Sequence, residues 1–138
     1  MMSWFSTKGF SFSLPGEEWT EATTQFFTPK GDDTAAFAIS RQENDPELDM
    51  EATVRDMKGG YYLEREIVRS ERIQVGPLEA KDYGFIARNL KGADYLRNVL
   101  VTYYDLLLNF QWVGPAQARK EIDARADRAL ETLRFRRR

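Results

Sequence analysis

The segment from Gly9 to Arg41 constrains the fold most, because it contains three short strand-like runs, and in the first and third of them large apolar residues alternate with small or polar ones. The three runs are residues 10–14, 23–28 and 35–41. A period of two residues is typical of a half-buried β-strand. Pro15-Gly16 and the sequence PKGDD at residues 29–33 separate the runs, and both favour turns. The segment therefore predicts three consecutive strands that form a sheet with two distinct faces.

The alternation also predicts which side chains share each face. The side chains expected to face the core are large and apolar: Phe10, Phe12, Leu14, Phe27, Phe37 and Ile39. The side chains expected on the opposite face are mostly small: Thr24, Phe26, Ala36, Ala38 and Ser40. One ring among small residues would leave a shallow apolar trough able to hold an apolar helix of a partner. The alternative is an ordinary solvated face of an antiparallel sheet that carries one stray phenylalanine.

The rest of the chain adds a helix, four strands and a second helix. Asp45-Pro46-Glu47 begins a predicted helix that ends near Gly59-Gly60, since Asp favours the N-cap and Pro the first helical position. The next predicted strands are residues 67–75, 78–90, 95–104 and 106–113, and the second helix is 116–133. The order βββ-α-ββββ-α favours an α+β fold, an antiparallel sheet with helices packed on one face, over alternating βαβ units.

Within the third and fourth of these later strands, alternate residues are apolar. The residues that share a face are Tyr95, Val99, Val101 and Tyr103 on one strand, and Leu106, Leu108, Phe110 and Trp112 on the other. The adjacent pair Tyr103-Tyr104 places one ring on each side of its strand. We therefore expect one tyrosine of this pair in the core and the other at the surface.

The length of 138 residues fits one domain covering residues 1–138. The first ten residues lack the apolar run of a signal peptide. The longest apolar stretches are far shorter than the roughly 20 residues that a membrane-spanning helix needs. These features predict a soluble, cytoplasmic protein with no stable membrane insertion.

The composition excludes several kinds of chemistry. The chain has no cysteine and no histidine, so a disulfide, a Cys/His zinc site and a Ser-His-Asp or Cys-His catalytic apparatus are all impossible. A formal net charge of −2 gives no basic excess for a phosphate backbone, which argues against nucleic-acid binding. The prediction is a protein that is not an enzyme, with no catalytic residue, no metal site and no cofactor.

Paired carboxylates are the remaining candidates for acid–base chemistry. Asp32-Asp33 lies in a predicted turn, and Asp123 with Asp127 lies on a predicted helix face. Such pairs divide acid and base roles when burial separates their pKa values. We expect these pairs to be solvated surface groups. A deep pocket with two converging buried carboxylates would instead indicate a carboxylate-dependent enzyme.

The N-terminal motifs resemble those of a known family. The pattern reads Phe12-x-Leu14-Pro15-x-x-x-Trp19-x-Glu21-x-x-Thr24-x-x-Phe27, followed by Phe37-Ala38-Ile39-Ser40-Arg41. It resembles the start of the DcrB-like domain family, which includes the Eag-type chaperones of type VI secretion effectors. The Leu-Pro-x-x-x-Trp corner, the acidic residue after the Trp and the Ser-Arg at the end of the third strand carry the resemblance.

This resemblance implies a fold, a partner and an oligomeric state. The fold is Mog1/PsbP-like, an antiparallel sheet with helices against it. The Eag-type branch implies a homodimer whose sheets cradle the apolar N-terminal segment of a secreted effector. The implied cradle positions are Thr24, Phe26, Ala36, Ala38 and Ser40. The alternative that the same family allows is a DcrB-like binding or immunity-type module that contacts a folded partner through loops and strand edges.

Overall fold

A computed structural model describes residues 2–5, 11–14, 23–27, 36–44 and 64–135, with side chains from residue 36 onward. The strands in this part of the chain are β1 Met2–Phe5, β2 Ser11–Leu14, β3 Thr23–Phe27, β4 Ala36–Glu43, β5 Glu64–Val75, β6 Leu78–Asn89, β7 Gly92–Tyr103 and β8 Leu106–Pro115. A short 3₁₀ turn at Ala116–Ala118 leads into the helix α1, Arg119–Thr132. The predicted helix from Asp45 lies outside the described residues.

Six strands form one antiparallel sheet in the order β3-β4-β8-β7-β6-β5. β1 and β2 pair with each other in a separate two-stranded sheet. The prediction that the first three strands share one sheet is therefore wrong for the run at residues 10–14. Alternation reports that a strand is half-buried, but it does not report which strand it pairs with, and β1 was not predicted as a strand at all.

The predicted antiparallel arrangement of the four later strands is confirmed. β5, β6, β7 and β8 follow one another as neighbours, because short turns favour pairing between consecutive strands. The turn between β6 and β7 is closed by Asn89, whose Oδ1 accepts hydrogen bonds from the backbone N–H of Lys91 and Gly92 at 2.8 and 3.0 Å. Asparagine favours such turns because its side chain can replace a backbone acceptor.

The helix α1 packs on one face of this sheet, which we call the helix face. Ile122 and Ala126 of α1 are buried against Tyr95 and Val99 of β7. Burial of a side chain the size of Ile122 contributes roughly 1.5–3 kcal/mol. Further residues of this core are Val75, Ala80, Val101, Phe110 and Trp112, with Phe37, Ile39 and Leu130 packed against them. The predicted shared face of β7 and β8 is confirmed here.

Phe37 and Ile39 also lie where the sequence predicts, under the helix. The Phe37 ring stacks on Trp112 with the ring centres 4.9 Å apart. Since side chains alternate along a strand, Ala36, Ala38 and Ser40 of β4 belong to the opposite face. The sheet thus has the two distinct faces that its first strands indicated.

Candidate partner-binding face

The sheet face opposite α1, which we call the second face, carries its own apolar cluster. It consists of Tyr83, Phe85 and Ala87 of β6, Leu96 and Leu100 of β7, and Leu107 of β8, with Val113 packed against them. These side chains alternate with those of the helix face along each strand. All six cluster members are buried. The sheet is therefore apolar on both sides, as expected when both sides of a sheet are covered.

The structure brings the predicted cradle positions together at the β3–β4 end of this face. Ala36, Ala38 and Ser40 lie on β4, and in the strand pairing Phe26 lies opposite Ala38 while Thr24 lies opposite Ser40. The side chains of Thr24 and Phe26 are outside the described residues. On its other side Ala38 pairs with Gln111 of β8. The predicted cradle positions are therefore continuous with the residues at the centre of the second face.

Exposure differs among these positions. Ala38 is 6% exposed, so at this position the face is closed and offers almost no surface to a partner. Ala36 and Ser40 are half-buried. Among the described side chains of the second face, the most accessible apolar one is Ile67 of β5, which is 39% exposed and lies opposite Phe85. The open margin of this face therefore includes the β5 edge.

Buried amides interrupt the apolar surface. Asn98 of β7 and Gln111 of β8 are neighbours in the strand pairing, and the Gln111 Nε2 donates a 2.9 Å hydrogen bond to the Asn98 Oδ1. The Nδ2 of Asn98 is buried and has no hydrogen-bond partner among the described residues. An unpaired buried donor costs about 1–3 kcal/mol. The second face thus keeps unused capacity to donate a hydrogen bond at its centre.

One end of the second face forms a concavity of about 410 Å³, which we call the β5–β7 concavity. Its lining residues are Arg72, Ile73, Gln74, Glu79, Ala80, Lys81, Leu100 and Thr102. Leu100 also belongs to the second-face cluster. The concavity is therefore continuous with the apolar surface of the face, but its rim is charged.

The helix face contains a buried ion network centred on Arg97 of β7. Arg97 is 1% exposed and makes a two-point contact with the fully buried carboxylate of Asp82 on β6, at 3.1 Å from Nε to Oδ1 and 2.8 Å from Nη2 to Oδ2. Its Nη1 lies 2.8 Å from the Asp127 Oδ1 and 3.4 Å from the Asp123 Oδ1, both on α1. Arg97 thereby ties the helix to the sheet.

Neighbouring groups extend this network. The Arg69 Nε lies 3.1 Å from the Asp82 Oδ2, and the Tyr95 hydroxyl donates a 2.8 Å hydrogen bond to the Asp123 Oδ1. Gly84 of β6 makes room for both, because a Cβ at this position would lie 2.9 Å from the Tyr95 Oη and 3.0 Å from the Arg69 Cβ. A side chain at position 84 would overpack the site.

The network fixes the charge states of Arg97 and Tyr95. Burial by itself lowers the pKa of Arg97, but the hydrogen bonds and charges of Asp82 and Asp127 more than offset it and raise that pKa above its usual value. Burial, with the hydrogen bond to Asp123 and its charge, raises the pKa of Tyr95 to about 12. Arg97 is therefore cationic and Tyr95 neutral at pH 7.

The sequence missed this network. Asp127 is 56% exposed, as its prediction as a surface group requires, whereas Asp123 is only 24% exposed, and both contact Arg97. The available signal was a cation at position 97 between Tyr95 and Val99 on a face that is otherwise apolar. Among the residues that the structure describes, no three metal-ligating side chains converge.

The tyrosine pair at the β7–β8 turn follows its prediction only in part. The half-buried Tyr103 ring lies 5.3 Å from the Phe135 ring, whereas Tyr104 is exposed. The two tyrosine rings nevertheless contact each other edge to face, with their centres 4.8 Å apart, so they do not lie on opposite sides of the strand. Tyr104 also adopts a φ of 54°, which a non-glycine residue rarely does.

Comparison with known proteins shows the fold and leaves the family open. No family model matches the chain, and no curated protein matches its sequence. A solved structure similar to it is PA94 from Pseudomonas aeruginosa, a protein of unknown function described as a candidate regulator. It is 14% identical, covers 100% of this chain and 99% of its own, and has a TM-score of 0.68.

A second similar structure is CyanoP, the PsbP of the cyanobacterium Synechocystis sp. PCC 6803. It is 11% identical, with 91% of this chain and 86% of that chain covered, and a TM-score of 0.51. At such identities the likeness shows the fold alone. The chain has an α+β Mog1/PsbP-like fold, and among its described helices none is long and apolar enough to cross a membrane.

Proposed function

We propose that this protein is a non-enzymatic chaperone or adaptor that binds an apolar helical segment of a partner protein on the second face of its sheet. The observation that supports it best is the apolar cluster of Tyr83, Phe85, Leu96, Leu100 and Leu107, on the side of the sheet that α1 does not occupy. The N-terminal motifs resemble those of DcrB-like proteins of the Eag type. The partner is then the apolar N-terminal segment of a secreted effector, held by a homodimer in the cytoplasm.

The driving force is burial of apolar surface, worth roughly 25 cal/mol per Å². Because Ala38 and the cluster are buried in this conformation, a segment first meets the accessible margin at Ile67 and the half-buried Ala36 and Ser40. Contact with the centre requires the face to open. The apparent affinity therefore includes the free energy of that opening.

The test uses two matched substitutions of exposed apolar residues. Ile67→Asp places a charge on the second face, and Leu90→Asp places the same charge on the β6–β7 turn, where Leu90 is 93% exposed. Binding of a labelled, helix-forming Leu/Ala peptide is measured by fluorescence anisotropy. We expect Ile67→Asp to weaken binding about 10-fold or more, because the peptide must then desolvate a carboxylate, and Leu90→Asp to leave it unchanged.

A second variant tests the predicted cradle directly. Phe26 lies opposite Ala38 in the strand pairing. We expect the Phe26→Asp variant to lose co-purification with a co-expressed apolar effector segment. If the segment stays equally soluble without this protein, or if the two peptide-binding variants behave alike, the chaperone function is wrong.

The alternative function is a DcrB-like binding or immunity-type module that contacts a folded protein through its loops. The exposed Tyr104, held at a rare φ of 54°, favours it, since aromatic residues often anchor interfaces and backbone strain often marks functional sites. In that case Leu90→Asp or Tyr104→Gly weakens binding of the folded partner and Ile67→Asp has no effect. The same variants thus separate the two functions.

A further inference from the structure

Two cations face each other in the β5–β7 concavity. Arg72 of β5 and Lys81 of β6 are direct partners in the strand pairing. Their neighbours Ile73 and Ala80 belong to the helix-face core, so Arg72 and Lys81 both point to the second face. Like charges directly opposite each other destabilise a sheet. Arg72 is exposed and Lys81 half-buried, so an anion can reach both side chains and relieve their repulsion.

The described part of the chain does not supply that anion. The ion pairs there join Arg69 or Arg97 to Glu71, to Asp82 and to the two aspartates of α1, and none involves Arg72 or Lys81. Glu79 lines the same concavity but lies two pairs further along, opposite Gln74, and within the described part of the chain it forms no ion pair with either cation. The concavity holds two cations and one carboxylate in a chain whose formal net charge is −2.

The concavity also connects to the apolar surface that carries the proposed function. Leu100 is a member of the second-face cluster and a lining residue of the concavity, and Thr102 lies two residues further along the same strand. A segment that lies on the cluster and extends along β7 would leave apolar surface at Leu100. It would then meet Arg72 and Lys81.

We infer that the β5–β7 concavity binds a carboxylate of the partner, an acidic side chain at one end of the apolar segment that the second face holds. This inference rests on the proposed function and adds a specificity to it. A guanidinium recognises a carboxylate with two parallel N–H donors, and an ammonium adds a point charge beside it. A partner segment flanked by Asp or Glu is accepted, and one flanked by Lys is rejected.

The test compares three labelled peptides with the same Leu/Ala helical stretch, ending in two Asp, two Asn or two Lys residues. Affinities are measured at about 0.05 and 0.5 M salt. We expect the Asp peptide to bind about 10-fold more tightly than the Asn peptide at low salt and the Lys peptide to bind most weakly. The preference should shrink at high salt, where charges more than roughly 4–5 Å apart are screened.

Variants test whether Arg72 and Lys81 cause the preference for the Asp peptide. Arg72→Gln and Lys81→Gln should each reduce the advantage of the Asp peptide severalfold while leaving the Asn peptide unchanged. Lys91→Gln, which removes a cation from the exposed β6–β7 turn, is the matched control and should change nothing. Lys81→Glu should turn the preference toward the Lys peptide.

The outcomes separate the inference from the function on which it rests. If the three peptides bind equally well, or if the Asp preference survives in the Arg72→Gln/Lys81→Gln double variant, the carboxylate site is wrong and the chaperone function stands. If none of the peptides binds, the chaperone function fails and the carboxylate site fails with it.

Discussion

The two faces of the six-stranded sheet differ in how completely the buried polar groups of β7 are paired. On the helix face, the buried Arg97 contacts the carboxylates of Asp82, Asp123 and Asp127. On the second face, the buried Asn98 accepts one hydrogen bond and leaves its Nδ2 without a partner. Arg97 and Asn98 are adjacent residues of β7, so the difference arises from the face and not from the position in the sheet.

This difference shows which face is complete within the described part of the chain. A buried cation that lacked its carboxylates would cost several kcal/mol, so the helix face requires α1 to be in place. A buried amide that lacks one partner costs less and can persist. A face that tolerates unmet hydrogen bonds and unpaired cations is the better candidate for binding something else.

The largest expected effect comes from breaking the helix-face network. Arg97→Met removes the cation while Asp82 stays fully buried, and removal of one partner of a buried ion pair typically costs about 3–5 kcal/mol. The Arg69 Nε, 3.1 Å from Asp82, compensates part of this loss. The free energy of unfolding from urea titrations should fall by about 3 kcal/mol or more.

Two further variants test whether the loss comes from the Asp82 carboxylate that is left without Arg97. Arg128→Met removes a cation from the exposed side of α1 and should change stability by less than about 0.5 kcal/mol. The double variant Arg97→Met/Asp82→Leu removes both charges and should recover much of the lost stability. Equal losses in the single and double variants would contradict this account.

A second, somewhat smaller effect concerns the pH dependence of the helix face. The pKa of Tyr95 is raised to about 12 in the folded protein, against about 10 for a tyrosine in water. Its stabilising contribution is complete below pH 10, because both states then hold the proton. Between pH 10 and 12 the unfolded state releases the proton first, so stability falls with rising pH by up to about 3 kcal/mol.

The measurement compares the wild type with Tyr95→Phe, which lacks the ionising hydroxyl but keeps the ring. Unfolding free energies of both are followed from pH 8 to 12. The wild type should lose more stability than the variant across this range, since the other tyrosines are common to both. Parallel curves would mean that the Tyr95 hydroxyl is not shielded in the way that its burial and its bond to Asp123 indicate.

The sequence predicted the apolar residues of the helix face but not the ion network around Arg97. Alternation in β7 and β8 identified the apolar residues that α1 covers, because that pattern is local and repeats along each strand. The link between Arg97 and Asp82 depends on β6 and β7 pairing with these two residues on one face. The contacts of Arg97 with Asp123 and Asp127 depend on where α1 crosses the sheet, and no local pattern reports either arrangement.

The first strands illustrate the same limit. Their alternation correctly placed Phe37 and Ile39 under the helix, but it could not show that β2 pairs with β1 instead of β3. For the candidate site, the pattern assigned Ala36, Ala38 and Ser40 to the second face. It could not show that Ala38 is buried, because burial depends on what covers a face and not on which face a residue occupies.

The smallest expected effect tests whether the two faces differ as their contacts indicate. Gln111→Met removes the donor to the Asn98 Oδ1 and should cost about 1 kcal/mol, well below the loss for Arg97→Met, because a neutral amide is cheaper to strand than a charge. Asn98→Leu/Gln111→Met removes both amides and should return stability to within about 0.5 kcal/mol of the wild type. If the Gln111→Met variant loses as much stability as the Arg97→Met variant, the amides hold the second face together as the ion network holds the helix face. The second face would then be a core and not a surface kept for a partner.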